Sequence, residues 1–259
     1  YPQAPCAVLI ECATHATLAA HIDAYRISEW ALCQPLLAHL KSGMLCLADR
    51  GFSGYNHWQA ATATGADLLW RCPANRQLPV IKALGDDSYL SVIYAPEAAS
   101  AKQRLATERG MTVRVIDYTL PGTHGKHGPE ASRPPTRYRL LTTLLDEQAA
   151  PALARATLCH ARGEVEAVFD ELKTHLLQRR RVLRSKTPDL VRQAFYGWVL
   201  AHYAVRWLMH QAATDYAVTA RSLSFTANMA LLTRAQPQSG TFPPPGVASK
   251  AQALGLRRC

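Results

Sequence analysis

The 259 residues carry 29 Lys and Arg against 19 Asp and Glu, a net charge of +10, and 48% of them are hydrophobic. That is enough apolar material for one good core and a smaller appended domain, and it excludes disorder as the default. No apolar run reaches the length of a membrane span, no basic-then-apolar leader opens the chain, and seven irregularly spaced cysteines argue against a disulfide framework, so the sequence reads as intracellular.

The chain starts at Tyr1 without a methionine and runs straight into strand-like sequence, from which a preceding segment is expected. Residues 7–15 (AVLIECATH) have the short apolar character of a buried strand, and residues 21–27 (HIDAYRI) are expected to pair with it in a meander. Ser28 offers an N-cap to a helix over EWALCQPLLAHLK that closes at Gly43, with Pro35 implying a kink. MLCLAD, residues 44–49, is an uninterrupted apolar run ending in a carboxylate and followed by Arg50, Gly51 and Phe52. Such a strand delivers Asp49 to the carboxyl edge of a sheet, where α/β folds place their ligands. Equally, Asp49 caps the helix that follows or pairs with Arg50.

Residues 55–64 read as a helix closed by Gly65, and residues 67–72 (DLLWRC) as a further strand, for an order β-β-α-β-α-β. From Pro73 the character changes to β-rich segments separated by turn signals, so residues 73–136 are expected to form an inserted antiparallel β-rich domain. Within it, residues 120–135 form a Gly/Pro loop whose His124 and His127 lack partners at metal-ligand spacing. Strand character returns at 137–146, Pro151 opens a long helix, and Pro188 opens a second one running to about Ala213. Residues 214–259 are expected to be a poorly ordered tail.

The most informative stretch runs from Cys159 to Lys186. At about 100° per residue, Arg162, Glu166 and Lys173 fall within roughly 40° of one another beside an apolar stripe of Leu158, Val165, Phe169, Leu172 and Leu176. By the same arithmetic Glu164 and Glu171 point away toward solvent, and Asp170 alone competes with Glu166 for a place in a cleft. Between Lys173 and Arg192 the chain has seven cations (Lys173, Arg179, Arg180, Arg181, Arg184, Lys186 and Arg192) and one acid, Asp189. This is the composition of a phosphate-binding strip, or of a solvated helix end. A strand-borne Asp, a distant helix-borne Glu and cations on the same helix face suit metal-dependent phosphodiester chemistry, with magnesium favoured by oxygen donors.

The run Arg162-x3-Glu166-x6-Lys173 resembles the signature helix of bacterial DDE-type insertion-sequence transposases of the insertion-sequence-four family. ADRGF at 48–52 is similar to that family's second-Asp motif, and further similar text occurs at 13–15, 140–146, 169–176, 183–193 and 224–226. The resemblance implies an α/β, ribonuclease-H-like core built from residues 1–72, lacking its first strand, and residues 137–213, with the β-rich insertion between them and C-terminal helices. It implies cleavage of transposon ends and strand transfer into target DNA with two Mg2+ ions, Mn2+ serving as an alternative, in the bacterial cytoplasm at the nucleoid. A homodimer on paired ends is implied as well. Asp49 and Glu166 would be the second and third catalytic, metal-binding acids, meeting across a cleft. Arg162, Lys173, Arg179, Arg180, Arg181, Arg184 and Lys186 would bind DNA. The chain departs from the pattern at Cys159, where the family has Tyr, and at Gly163, often aromatic. Neither Glu11 nor Asp23 matches the first acid, which is expected upstream of Tyr1. A catalytically dead, DNA-binding remnant is the second reading.

Overall fold

A computed structural model describes residues 4–95, 110–120, 136–161, 168–172 and 187–239. They fall into two compact units, one from residues 1–36 with 163–259 and the other from residues 37–162.

In the first unit, strands β1 (Cys6–Ile10) and β2 (Thr17–Ile22) form an antiparallel hairpin with an irregularity between Leu9 and Ile10. The second strand begins four residues earlier than the expected 21–27 and ends before Asp23. The cause is Glu11, whose carboxylate accepts the Ala13 N–H at 2.9 Å and the Thr14 N–H and hydroxyl at 2.7 and 2.6 Å. These bonds turn the chain inside what reads as one continuous strand. Ser28 caps helix α1 (Glu29–Cys33) by accepting the Ala31 N–H. The helix tightens to 3-10 geometry over Gln34–His39, as Pro35 dictates. Ala7, Leu32 and Leu36 form a small core beneath the hairpin. Thr187 caps the 28-residue helix α4 (Pro188–Asp215), whose Pro188 occupies the first turn, where its missing N–H costs nothing. The stretch expected to be a poorly ordered tail from 214 onward contains a helix, α5 (Phe225–Ser239), preceded by a 3-10 turn at Ala220–Ser222. Val205, Met209 and Ala213 of α4 bury against Leu223, Phe225 and Leu232, so apolar burial rather than local periodicity orders it.

The second unit is a six-stranded mixed sheet in the order β3-β4-β8-β7-β6-β5. Its strands are β3 (Leu45–Ala48), β4 (Asp67–Cys72), β5 (Lys82–Ala83), β6 (Tyr89–Tyr94), β7 (Gly110–Leu120) and β8 (Thr136–Thr142). Only β3 and β4 run parallel, joined across helix α2 (Tyr55–Thr62); all the other pairs are antiparallel. Gly43 and Gly65, at φ of +85° and +80°, make the two left-handed turns that feed β3 and β4. One sheet face buries Trp58, Leu68, Trp70, Ile93, Val113, Val115 and Leu141, with Trp58 edge-on to Trp70 at 5.2 Å. The other face buries Leu69, Ile116 and Leu140 under helix α3 (Ala152–Ala161), which contributes Ala152 and Cys159. Strands from the 73–136 stretch therefore share one hydrogen-bonded sheet with β3 and β4, through β8.

Candidate functional site

Strand β3 ends at Ala48, and Asp49 follows in extended conformation as the N-cap of a 3-10 turn over Arg50–Phe52. Its Oδ1 accepts the Arg50 N–H at 2.7 Å. The sequence left capping and site roles open for this acid, and the capping geometry is present. A cap does not consume the carboxylate, because its side chain stays 46% exposed. The parallel register sets Ala48 beside Trp70, which places Asp49 next to Arg71 at the carboxyl end of β4. Arg71 Nη1 lies 3.4 Å from Asp49 Oδ1, and the same guanidinium sits 4.9 Å above the Tyr138 ring.

The row continues across the sheet. Tyr138 on β8 stacks against its cross-strand partner Tyr118 on β7, centroids 5.3 Å apart and 16° from parallel. Burial, the neighbouring Cys159 and the stacked Tyr138 push the Tyr118 phenol up to about 12, against the opposing pull of Arg71. Tyr118 packs against the cluster that contains Cys159. Cys159, at 4% exposure, is a core residue. Asp49, Arg71, Tyr138 and Tyr118 thus come from four adjacent strands, and α3 brings Cys159 up to the end of the row. Sequence reasoning passed over Arg71. The signal was available: DLLWRC is the strand after the one ending in Asp49, and its single cation stands near the same end.

Of the other nominated residues, Arg162, Glu166, Lys173, Arg179, Arg180, Arg181, Arg184 and Lys186 lie outside the described residues, as do His124 and His127. Among the described residues, no three of His, Cys, Asp and Glu gather as a metal cluster. Asp49 offers an exposed oxygen donor of the kind a hard divalent cation takes. A cleft of about 440 Å³ is lined by Met44, Leu45, Asp67, Leu144 and Arg155 at the opposite, amino end of β3 and β4, away from Asp49.

Glu171 corrects the helix arithmetic. Expected to face solvent, it is buried at 8% exposure in a helical turn, residues 168–172. Its carboxylate is covered by α4. His202 Nε2 meets Glu171 Oε2 at 2.9 Å, and Arg206 forks onto both carboxylate oxygens. Arg206 Nη2 also reaches His15 Nδ1 at 3.0 Å, while its guanidinium lies 5.3 Å over the Phe225 ring. His15, at φ 60°, is held in a left-handed turn. Burial, followed by the Arg206 charge, lowers the His15 pKa and keeps its ring neutral beside the arginine. His202 and Arg206 are four residues apart on α4, so both reach one acid from one helix face. Among the described residues, no helix is long and apolar enough to cross a membrane.

Residues 6–204 match the family described as Transposase DDE domain. Over 216 residues the chain is 27% identical to the Transposase InsG for insertion sequence element IS4 of Escherichia coli (strain K12). That similarity covers 82% of the chain and 46% of the relative, so the chain spans about half the length of the curated relative it matches.

Proposed function

Since the chain belongs to the DDE-domain transposases, a mixed α/β family with a ribonuclease-H-like fold, we propose that it is part of a DNA transposase that cleaves transposon ends and transfers them into target DNA. The observation that carries this reading is Asp49 within ADRGF, standing half-exposed at the carboxyl end of β3 inside the matched region. The family generally uses divalent metal ions. A bound Mg2+ would supply charge stabilisation and activate the attacking oxygen, with Mn2+ able to replace it. Asp49 and Glu166 would hold the ions, the Arg50 N–H fixing the Asp49 carboxylate in orientation. Arg162 and Lys173 would steady the phosphates, and the strip Arg179, Arg180, Arg181, Arg184 and Lys186 would track the duplex backbone. In this reading the protein works in the cytoplasm as a homodimer on paired ends.

The test is Mg2+-dependent end cleavage by the full-length protein. Asp49→Ala and Glu166→Ala each reduce cleavage by more than a hundredfold while leaving duplex binding in place. Cleavage that survives either substitution overturns the catalytic assignment. One observation favours the second reading, a DNA-binding remnant: the side chain of Cys159, for which the resemblance implies a tyrosine, is buried in the core. In that case the unsubstituted protein binds duplex DNA and cleaves none.

A further inference from the structure

We infer that Arg71 is an exchange partner for Asp49: it pairs with the carboxylate while no metal is bound, and passes to a DNA phosphate when a metal takes the carboxylate. The inference rests on the metal-binding reading of Asp49. Three observations carry it. The guanidinium faces Asp49 Oδ1 at 3.4 Å, close enough for an ion pair and longer than a committed charged hydrogen bond. It is 30% exposed, so a phosphate can reach it. Its plane is set from the other side by the Tyr138 ring at 4.9 Å, and Tyr138 is in turn set by Tyr118. The cation therefore keeps its place at the strand end when its carboxylate partner is taken away.

The contrast with the two buried arginines of this sheet, Arg139 and Arg114, is informative. Arg139 is 10% exposed in its side chain and delivers Nε and Nη2 to Asp117 at 2.7 Å each, with Nη1 on the Arg76 carbonyl. Arg114 is fully buried and is spent on Asp86, Ser88 and three backbone carbonyls. Those two guanidiniums are committed to structure. Arg71 has one long ion pair and one aromatic face, both compatible with a change of anion. Arg is suited to this because its planar fork binds carboxylate and phosphate in the same manner.

The consequence is a pair of opposite effects. Arg71 competes with a cation for Asp49, so removing it tightens metal binding; it also contacts phosphate, so removing it weakens DNA binding. Two measurements on the purified chain test this: Mn2+ titration followed by the electron paramagnetic resonance of the free ion, and duplex binding across a salt series. Arg71→Ala is expected to raise Mn2+ affinity about threefold, the size of an exposed ion pair. It is expected to lower duplex affinity and to make the log-log salt slope shallower by about 0.9, the contribution of one phosphate. Arg71→Lys keeps the charge and is expected to recover most of the salt slope. A variant that lowers both affinities along with thermal stability assigns Arg71 a purely structural role and overturns the inference, as does one that leaves both affinities unchanged. Asp49→Ala separates the two layers. Loss of Mn2+ binding there without the tightening in Arg71→Ala defeats the exchange alone. Unaltered Mn2+ binding in Asp49→Ala defeats the metal role of Asp49 and the exchange with it.

Discussion

The resemblance to the family's signature helix puts a tyrosine at Cys159, and the surroundings of the thiol bear on whether one would fit. The thiol packs among Leu69, Ile116, Leu140 and Ala152, with Tyr118 packed against the same cluster. A phenol added here has to push into a face already closed by α3, and its hydroxyl needs a partner among apolar groups. Cys159→Tyr is therefore expected to destabilise the protein by about 1–3 kcal/mol, the usual cost of overpacking, read as a lower midpoint in urea at unchanged slope. A variant at least as stable as the parent would mean that the site has room for the ring. Asp49 teaches a related lesson at the same scale. Its capping bond and its exposed carboxylate coexist, so the alternatives left open by the sequence are not exclusive.

Among elements, the turn between β5 and β6 does more than connect two strands. Asp86 accepts the Ser88 hydroxyl at 2.5 Å, pairs with buried Arg114 on β7, and accepts the Ala152 N–H at 2.8 Å in the first turn of α3. Arg114 in turn donates to the carbonyls of Leu144, Asp146 and Ala150, tying down the loop that leads into α3. Thus a turn from the β-rich stretch holds the start of the helix that leads toward the nominated Glu166. Burial by itself raises the Asp86 pKa, but the Ser88 and Ala152 hydrogen bonds and the Arg114 charge outweigh it and hold the carboxyl below its ordinary value. A folded-state value below the unfolded one means stability that is present above about pH 4 and lost as pH falls through the folded value. Asp86→Asn leaves a buried arginine without its counter-charge and is expected to cost about 3 kcal/mol at pH 7. The deficit relative to the parent should shrink as pH falls below about 4 and through the lowered folded value, where the parent's own carboxyl protonates. A deficit constant from pH 7 to pH 2 in denaturant titrations would refute the charge-based account. None of this was legible beforehand, because Gly85-Asp86-Asp87 reads only as a turn and its partners lie 28 and 66 residues away. By contrast β4 was legible to the residue, since its apolar run is bounded by its own turn signals. The hairpin's second strand was displaced by one side chain, Glu11, acting on backbone that its neighbours alone would extend.

For the whole molecule, periodicity marked α4 and placed its start at Pro188, but it sent Glu171 to solvent, where the fold buries it. Only tertiary packing supplies His202 and Arg206 there. The charge distribution remains the strongest global signal. The outward residues Tyr196, Leu200, Tyr203 and Trp207 of α4 are uncharged, whereas six of the chain's 29 cations crowd residues 173–186 just before that helix. If that strip neutralises about six phosphates, the logarithm of duplex affinity falls against the logarithm of salt with a slope near −5. Replacing Arg179, Arg180 and Arg181 together with alanine should make the slope shallower by about 2.7, at 0.9 per phosphate. The loss should be similar for unrelated duplex sequences, because phosphate contacts carry no base information. A salt-independent affinity, or a slope unaltered in the triple variant, would mean that the strip is a solvated helix end and that the +10 charge acts from elsewhere on the surface.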